Sequence, residues 1–307
     1  MDTRFLESFV EVVDKGSIAE AARRLNLTAA AVAQRLRALE AEIGTPLVLR
    51  AGRTVKPTQT GLAILDRARA LLRDVRDLRA VSVGGTLSGE LRLGATTTAL
   101  TGLMPAALAA LAQAHPQVEV YIVPGVSADL YHQVLRGELD AAVILEPQFA
   151  LPKSCEFETL SIEPLVVLSP AAVADWPAAA RAPHALLRTQ PFVRYDRNHW
   201  GGQIVDRYLR HTGIKPRERF ELDSLEAIAA MVDRGLGVAL VPDWAPPWPE
   251  GLALHKQPVP EPGWARHMGL FWARMSPRLP LVEALRAAAS IRPGEGIDHP
   301  AHEVQPQ

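Results

Sequence analysis

Apolar residues recur at different periods along this chain, and the changes of period divide it. Phe5, Leu6, Phe9, Val10 and Val13 fall at helical spacing and predict an opening amphipathic helix that Gly16 ends. Ser17 with Glu20 three residues on forms a capping box for a second helix, along which Ile18, Ala21, Ala22 and Leu25 make one apolar stripe. Asn26 and Leu27 form a short turn. Thr28 caps a third helix in which Val32, Leu36, Leu39 and Ile43 recur at i, i+4, i+7 and i+11 and mark the buried seam. Leu47 to Arg50 and Thr54 to Thr58 read as two short strands around Ala51-Gly52-Arg53. From Gly61 to about Val83 a leucine-rich helix without a breaker carries Leu65, Leu72 and Arg79, Ala68 and Val75, and Leu71 and Leu78 at heptad spacing, and residues 84–89 make a flexible joint.

Past Leu91 the pattern changes again. Val118 to Val123, Ala141 to Leu145, Leu165 to Leu168 and Val238 to Val241 are strand candidates, and 99–114, 128–136, 202–211 and 224–233 are helical. That alternation predicts an α/β domain with mostly parallel sheets, whose ligands sit beyond the carboxyl ends of the strands.

The helical seam turns Ala29, Ala30, Ala33, Gln34 and Arg37 outward. Helix, tight turn and helix with a small-and-polar outer face suits a major groove about 12 Å wide. The two strands make a wing, with Arg50, Arg53 and Lys56 along or near its tip, in reach of phosphates or the minor groove. Charge supports this reading: the chain carries a net charge of -1, yet residues 21–60 hold seven basic groups against two acidic ones, and residues 80–307 hold 19 against 24. A compact basic patch on a mildly acidic protein is the footprint of a nucleic-acid module, with a solvated charged face as the plainer alternative.

Several function classes fall away. Met1 to Val13 carries four charges and no secretory apolar core, and no apolar run reaches the roughly 18 residues of a membrane span, so a soluble, cytoplasmic protein is expected. The one cysteine, Cys155, allows no intrachain disulfide or cysteine-based metal site. The nine histidines are scattered without ligand spacing. No nucleophile elbow, zinc-protease helix, phosphate-binding lysine loop or dinucleotide glycine motif is present, so no catalytic residue, metal or cofactor is predicted.

The run Gly16-Ser17-Ile18 through Ala21-Ala22-Arg23-Arg24-Leu25, with Leu36-Arg37-Ala38-Leu39-Glu40, Gly44-Thr45-Pro46-Leu47, Arg50 and Pro57-Thr58-Gln59-Thr60-Gly61, resembles the N-terminal domain of LysR-type transcriptional regulators. Residues 89–94, Gly137-Glu138-Leu139-Asp140-Ala141-Ala142 and Gly235 to Pro242 resemble the effector domain of that family, which has the type II periplasmic-binding-protein fold. The resemblance implies a winged helix-turn-helix at 1–60, a linker helix and hinge at 61–88, and a two-lobed effector domain at 89–291. One lobe would comprise 89–162 and 267–291, the other 163–266, with a disordered tail at 292–307.

It also implies a sequence-specific regulator of promoter DNA, switched by a small-molecule effector between the lobes, for which an organic anion is one candidate class. The linker helix would pair with that of a second copy through Leu65, Ala68, Leu72 and Val75, giving a homodimer or homotetramer. An ordinary amphipathic helix packed on its own domain is the alternative. Ala29, Ala33 and Val48 depart from the family's common polar residue, Ser and Phe. Direct readout is therefore thin: Thr28, Ala29, Ala30 and Ala33 line the face, and Gln34, Arg35 and Arg37 are its donors. A solute-binding protein with the same C-terminal fold, and a regulator that needs no ligand, are the competing readings.

In the cleft, Thr96, Thr97 and Thr98 follow the first strand and precede a helix, where hydroxyls and free N–H groups converge as an anion site requires. Val126 and Ser127 occupy the equivalent turn after the second strand. In the second lobe, Arg194 and Tyr195 end a strand and Trp200 opens the next helix, placing an arginine to hold a carboxylate. The alternatives are that the threonines only cap a helix and that Arg194 pairs with Asp196 or a surface acid.

Overall fold

The computed structural model describes residues 2–51, 54–81, 87–172 and 178–290. Arg53 of the wing, residues 84–86 of the joint, the side chains of Leu78 and Arg79 and the tail 292–307 lie outside the described residues. The chain divides into two compact units, Met1–Glu90 and Leu91–Gln307.

In the first unit, Asp2 caps α1 (Thr3–Lys15) by accepting from Arg4 N at 2.9 Å, and Gly16 ends it in the left-handed region at φ 62°. Ser17 Oγ accepts from Glu20 N at 3.4 Å at the start of α2 (Ile18–Arg24), but the Glu20 carboxylate pairs with Arg23, so only half of the capping box forms. Asn26 takes the turn at φ 54°, a conformation Asn tolerates better than most residues. Thr28 Oγ1 then accepts from Ala31 N at 3.2 Å to open α3 (Ala29–Ile43). Leu6, Phe9, Leu36, Leu39 and Leu47 form one core cluster, and Val12, Ala21, Ala22, Val32 and Val55 a second. Ile43, expected in the seam, is instead 37% exposed: it is the last residue of α3, and the core is already closed by Leu39.

The wing is an antiparallel hairpin of β1 (Val48–Ala51) and β2 (Thr54–Pro57). Thr58 joins it to α4 (Gln59–Val81): its Oγ1 accepts from Gly61 N at 3.0 Å and donates to Pro46 O at 2.8 Å. A Cβ on Gly61 would lie 2.1 Å from Leu47 O, so only glycine lets the helix start this close to the wing.

The second unit runs β3 (Gly89–Ala95), α5 (Thr97–Gly102), α6 (Met104–Ala114), β4 (Val118–Pro124), α7 (Ser127–Leu135), β5 (Ala141–Leu145), β6 (Cys155–Pro170), α8 (Ala178–Arg181), α9 (Pro183–Thr189), β7 (Pro191–Tyr195), α10 (Trp200–His211), β8 (Arg217–Leu222), α11 (Leu225–Asp233), β9 (Ala239–Pro242), β10 (Leu254–Pro258), β11 (Ala265–Ala273) and α12 (Leu279–Ser290). Its main sheet has the order β10-β6-β11-β5-β3-β4, with β9 also on β6. β6 is shared: Cys155 to Pro164 pair with β11, and from Leu165 on the strand pairs with β9 and β10 instead. That change of partner divides the unit into two lobes, with β6 and β11 crossing between them.

The sheets are therefore mixed and not mostly parallel. β3 and β5 run parallel, as do β7 and β8, but the crossing strands pair antiparallel with every neighbour. The first half of β6 was not visible as a strand because it is only partly buried and carries Glu156, Glu158, Thr159 and Ser161. The helix expected over 99–114 breaks at Leu103, since Pro105 falls in the first turn of α6 and cannot donate within a continuous helix. Among the described residues no helix is long and apolar enough to cross a membrane.

Arg194 is corrected by this fold. It lies in β7 with its side chain 4% exposed, paired with Asp206 of α10 and with Glu218 of β8 at 2.8 Å, and so ties the second lobe together instead of facing the cleft. Burial pushes its guanidinium down from the ordinary arginine value, and the attraction to Glu218 opposes that. Removing one partner of a buried pair costs about 3 kcal/mol or more. Arg194→Ala should therefore lower unfolding stability by about that amount in denaturant, read by tryptophan fluorescence. All six tryptophans lie in the second unit. A loss below about 0.5 kcal/mol would show that the pair behaves as a surface ion pair.

Candidate functional site

Two regions combine exposure with chemistry. In the first unit, Thr28, Ala29, Ala30, Gln34 and Arg37 are exposed and Ala33 is half-buried, all on the side of α3 away from Val32, Leu36 and Leu39. Arg37 Nε donates to Ala33 O at 3.3 Å, which lays the guanidinium along that face. Arg35 does not belong to it. At 100° per residue it sits on the opposite flank from Ala33 and Arg37, half-buried; hydrogen bonds with Arg4 hold the Asp2 carboxyl at the start of α1 well below the usual carboxylate range, and the charge of Arg35 adds a smaller attraction. Glu40, half-buried near the end of α3, accepts from Leu47 N at 2.8 Å and Val48 N at 3.2 Å. This clamp fixes the wing to the helix, with Arg50 and Lys56 exposed on its strands.

The seam expected on α4 is also corrected. Leu65 and Ala68 are buried in the first unit's own core with Leu6, Phe9 and Leu36, and Leu72 packs against the same cluster. Leu65 and Ala68 complete the module and are not free to meet a second copy, and Leu72 is half-buried against it. Val75 is half-buried, and Leu71 is the exposed apolar position of that turn at 47%.

The second region is a cavity of about 270 Å³ between the lobes of the second unit. Thr96, Thr97, Thr98, Val126 and Ser127 line it from the first lobe, and Tyr195 and Trp200 from the second. Ser127 Oγ is committed to Leu145 N at 3.2 Å, and Thr98 Oγ1 accepts from Arg266 Nη2 at 2.8 Å, while Thr97 is exposed. Burial pushes the Tyr195 phenol up, so it stays neutral, and its ring lies where any Cβ on Gly201 would collide with it at 2.5 Å.

The basic residue at this cavity is Arg266, not Arg194. It stands directly across the β6–β11 ladder from Glu163, their side chains are 2% and 3% exposed, and Arg266 Nε donates to the Glu163 carboxylate. The other oxygen of Glu163 accepts from Ala245 N at 3.3 Å. The sequence reading also missed Asn198, His199, Asp223 and Glu226 in the second-lobe wall. The rule that found the threonines, a strand end followed by a helix N-terminus, applies equally to α10 and α11 and would have found them. For Arg266 no local signal exists, because its partner lies 103 residues away.

The comparisons with known proteins agree with this layout. Residues 3–62 match the family model described as bacterial regulatory helix-turn-helix protein, lysR family, and residues 84–290 match the LysR substrate binding domain. The chain belongs to the LysR family of transcriptional regulators. Its similar proteins include the HTH-type transcriptional activator IlvY of Salmonella typhimurium, 29% identical over 79% of this chain and 83% of the relative. The uncharacterized HTH-type transcriptional regulator YusT of Bacillus subtilis is 31% identical over 79% of each. Among solved structures it is similar to a full-length variant of OxyR from Pseudomonas aeruginosa, with a TM-score of 0.69, 25% identity and 94% of each chain covered. It shares its fold with full-length CbnR complexed with target DNA, with a TM-score of 0.66, 22% identity, and 94% of this chain and 100% of that one covered.

As a LysR-family regulator the protein binds DNA, and the two flanks of α3 make a direct test of which face does so. Taking one cation away from a phosphate lowers the log-log salt slope of binding to B-DNA by about 0.9. Arg37→Ala should lower both affinity and slope in fluorescence anisotropy with operator duplex, and Arg35→Ala should leave the slope unchanged. The reverse pattern would place the DNA on the other side of α3.

Proposed function

We propose that this regulator is switched by a small-molecule effector seated in the cavity, and that the bound effector changes how two or four assembled copies hold promoter DNA. The observation that carries this reading is the construction of the cavity from both lobes around Arg266 and Glu163 on the crossing strands. A ligand there touches both lobes at once and so favours one arrangement of them. A ligand that altered DNA affinity through this arrangement would have its own affinity altered by DNA to the same factor. The face of Thr28, Ala29, Ala30, Ala33, Gln34 and Arg37 enters the major groove, and Arg50, Arg53 and Lys56 of the wing reach phosphates. Thin side-chain readout leaves backbone contacts and DNA shape to supply much of the specificity. The work is done in the cytoplasm, where the promoter is.

Assembly is assigned to the distal part of α4, because its proximal part is used up in the module core. Leu71 and Val75 replace Leu65, Ala68 and Leu72 as the contact with a second copy. Leu71→Asp should then lower the mass seen by light scattering and weaken operator binding, since one module covers only one half-site. An unchanged oligomer would remove α4 from the interface.

The effector reading is tested by a thermal-shift screen of the full chain against amino acids and small organic acids. A ligand at 100 times its dissociation constant stabilises by about 2.7 kcal/mol. For a hit, Thr97→Ala should raise the concentration for half-maximal transcriptional response about tenfold or more, because a hydrogen bond to a charged group is worth about 1.5 to 3 kcal/mol. Operator affinity without effector should stay within about twofold of wild type. An unshifted response would place the ligand elsewhere.

A further inference from the structure

The charges around the cavity point to the kind of molecule it holds. The inference rests on the cavity being the effector site. Its first-lobe wall carries hydroxyls and backbone but no charged side chain. There, the N-terminus of α7 has no side-chain cap, so its first N–H groups meet no capping oxygen, and Asp129 in its first turn offsets part of its positive dipole end. Arg266 reaches the cavity from below, and Glu163 already balances its charge.

The second-lobe wall is different. Asp223 and Glu226 both line it, one just before and one within the first turn of α11. Glu226 Oε2 accepts from Ser224 Oγ at 3.2 Å, while Oε1 is buried without a hydrogen-bond partner. His199 lies 4.0 Å from Asp223, but it also faces Asp196 at 3.7 Å, so even when protonated it balances one of the two and leaves Glu226 unanswered. The cavity therefore holds more negative than positive side-chain charge. A plain carboxylate would gain at α7 and Arg266 and be repelled from the other wall, and a dicarboxylate more so.

We infer that the effector is a small zwitterion of the α-amino acid class, its carboxylate toward Thr97, Arg266 and the α7 N-terminus and its ammonium toward Glu226 and Asp223. Tyr195 and Trp200 line the same wall, and an aromatic lining suits a cationic group. At about 270 Å³ the cavity lies just below the usual range of ligand pockets, roughly 300 to 1,000 Å³, and is of amino-acid size.

The test titrates the full chain with each of the common L-amino acids by thermal shift and calorimetry. Every one that binds is followed by its 2-hydroxy acid and its decarboxylated amine, with unrelated mono- and dicarboxylates beside them. At least one amino acid should raise the melting temperature, and both of its truncated relatives should bind about tenfold or more weakly, the loss of one charged hydrogen-bonding partner. Glu226→Gln, which keeps the shape of the side chain, should weaken the amino acid to a similar degree. Asp223→Asn, at a side chain 57% exposed, gives the same reading should the first variant fold poorly. Hydroxy acids or plain carboxylates binding as tightly as the amino acids, or tighter to Glu226→Gln, would overturn the zwitterion and leave the effector site standing. Silence from every compound would count against the cavity as an effector site, and with it the zwitterion.

Discussion

A buried carboxylate and guanidinium, Glu163 and Arg266, face each other across two strands at the point where one of them changes partners. Taking two charges out of water costs several kcal/mol each, and their attraction offsets that only when the remaining donors and acceptors are also satisfied. Here they are: Glu163 also accepts from Ala245 N, and Arg266 also donates to Thr98. Those contacts draw on three places at once, the helix after β3, the loop after β9 and the strand crossing. Gly102 takes part in the same closure, since a Cβ on it would meet Ala245 O at 2.7 Å. The pair therefore fixes the cavity floor and the approach of the two lobes through one set of bonds. A group that competes for Arg266 or Thr98 acts on the lobe arrangement directly, which is where the proposed effector would exert its influence.

The first unit solves a different problem. A module of about 60 residues buries too little surface to be robust alone, and the proximal half of α4 makes up the deficit by adding Leu65 and Ala68 to its core. Gly61 lets that helix approach Leu47, and Glu40 ties the wing to α3, so the reading face, the wing and the start of the linker helix move as one body. The consequence for the proposed assembly is that Leu65 and Ala68 are spent inside the module, which leaves Leu71 and Val75 further along α4 for a second copy.

Much of this was legible in the sequence where the signal is local. Periodicity with Thr28 as cap places the start of α3, and the same reasoning sets Thr96 to Thr98 and Ser127 at strand ends around a crevice. The failures share a cause, which is that burial partners distant in sequence decide them. A heptad pattern cannot say whether Leu65 meets a second helix or Phe9 of its own module. Arg194 and Arg266 are both arginines in strands, and only the fold shows that Asp206 and Glu218 absorb the first while the second stands at the cavity. The polar first half of β6 hid the crossing strand, and with it the mixed sheet.

The most direct measurement of the role given to Glu163 and Arg266 is a double-mutant cycle on the full chain. Denaturant unfolding of Glu163→Gln, Arg266→Met and the double variant would be followed by tryptophan fluorescence, which reports on the second unit alone. If the pair is the joint described, each single change costs about 3 to 5 kcal/mol by stranding a buried charge, and the double variant costs clearly less than their sum, with a coupling of about 2 kcal/mol or more. Losses that simply add, to within about 0.5 kcal/mol, would mean that the two side chains are buried side by side without depending on each other, and the account of the cleft would lose its foundation.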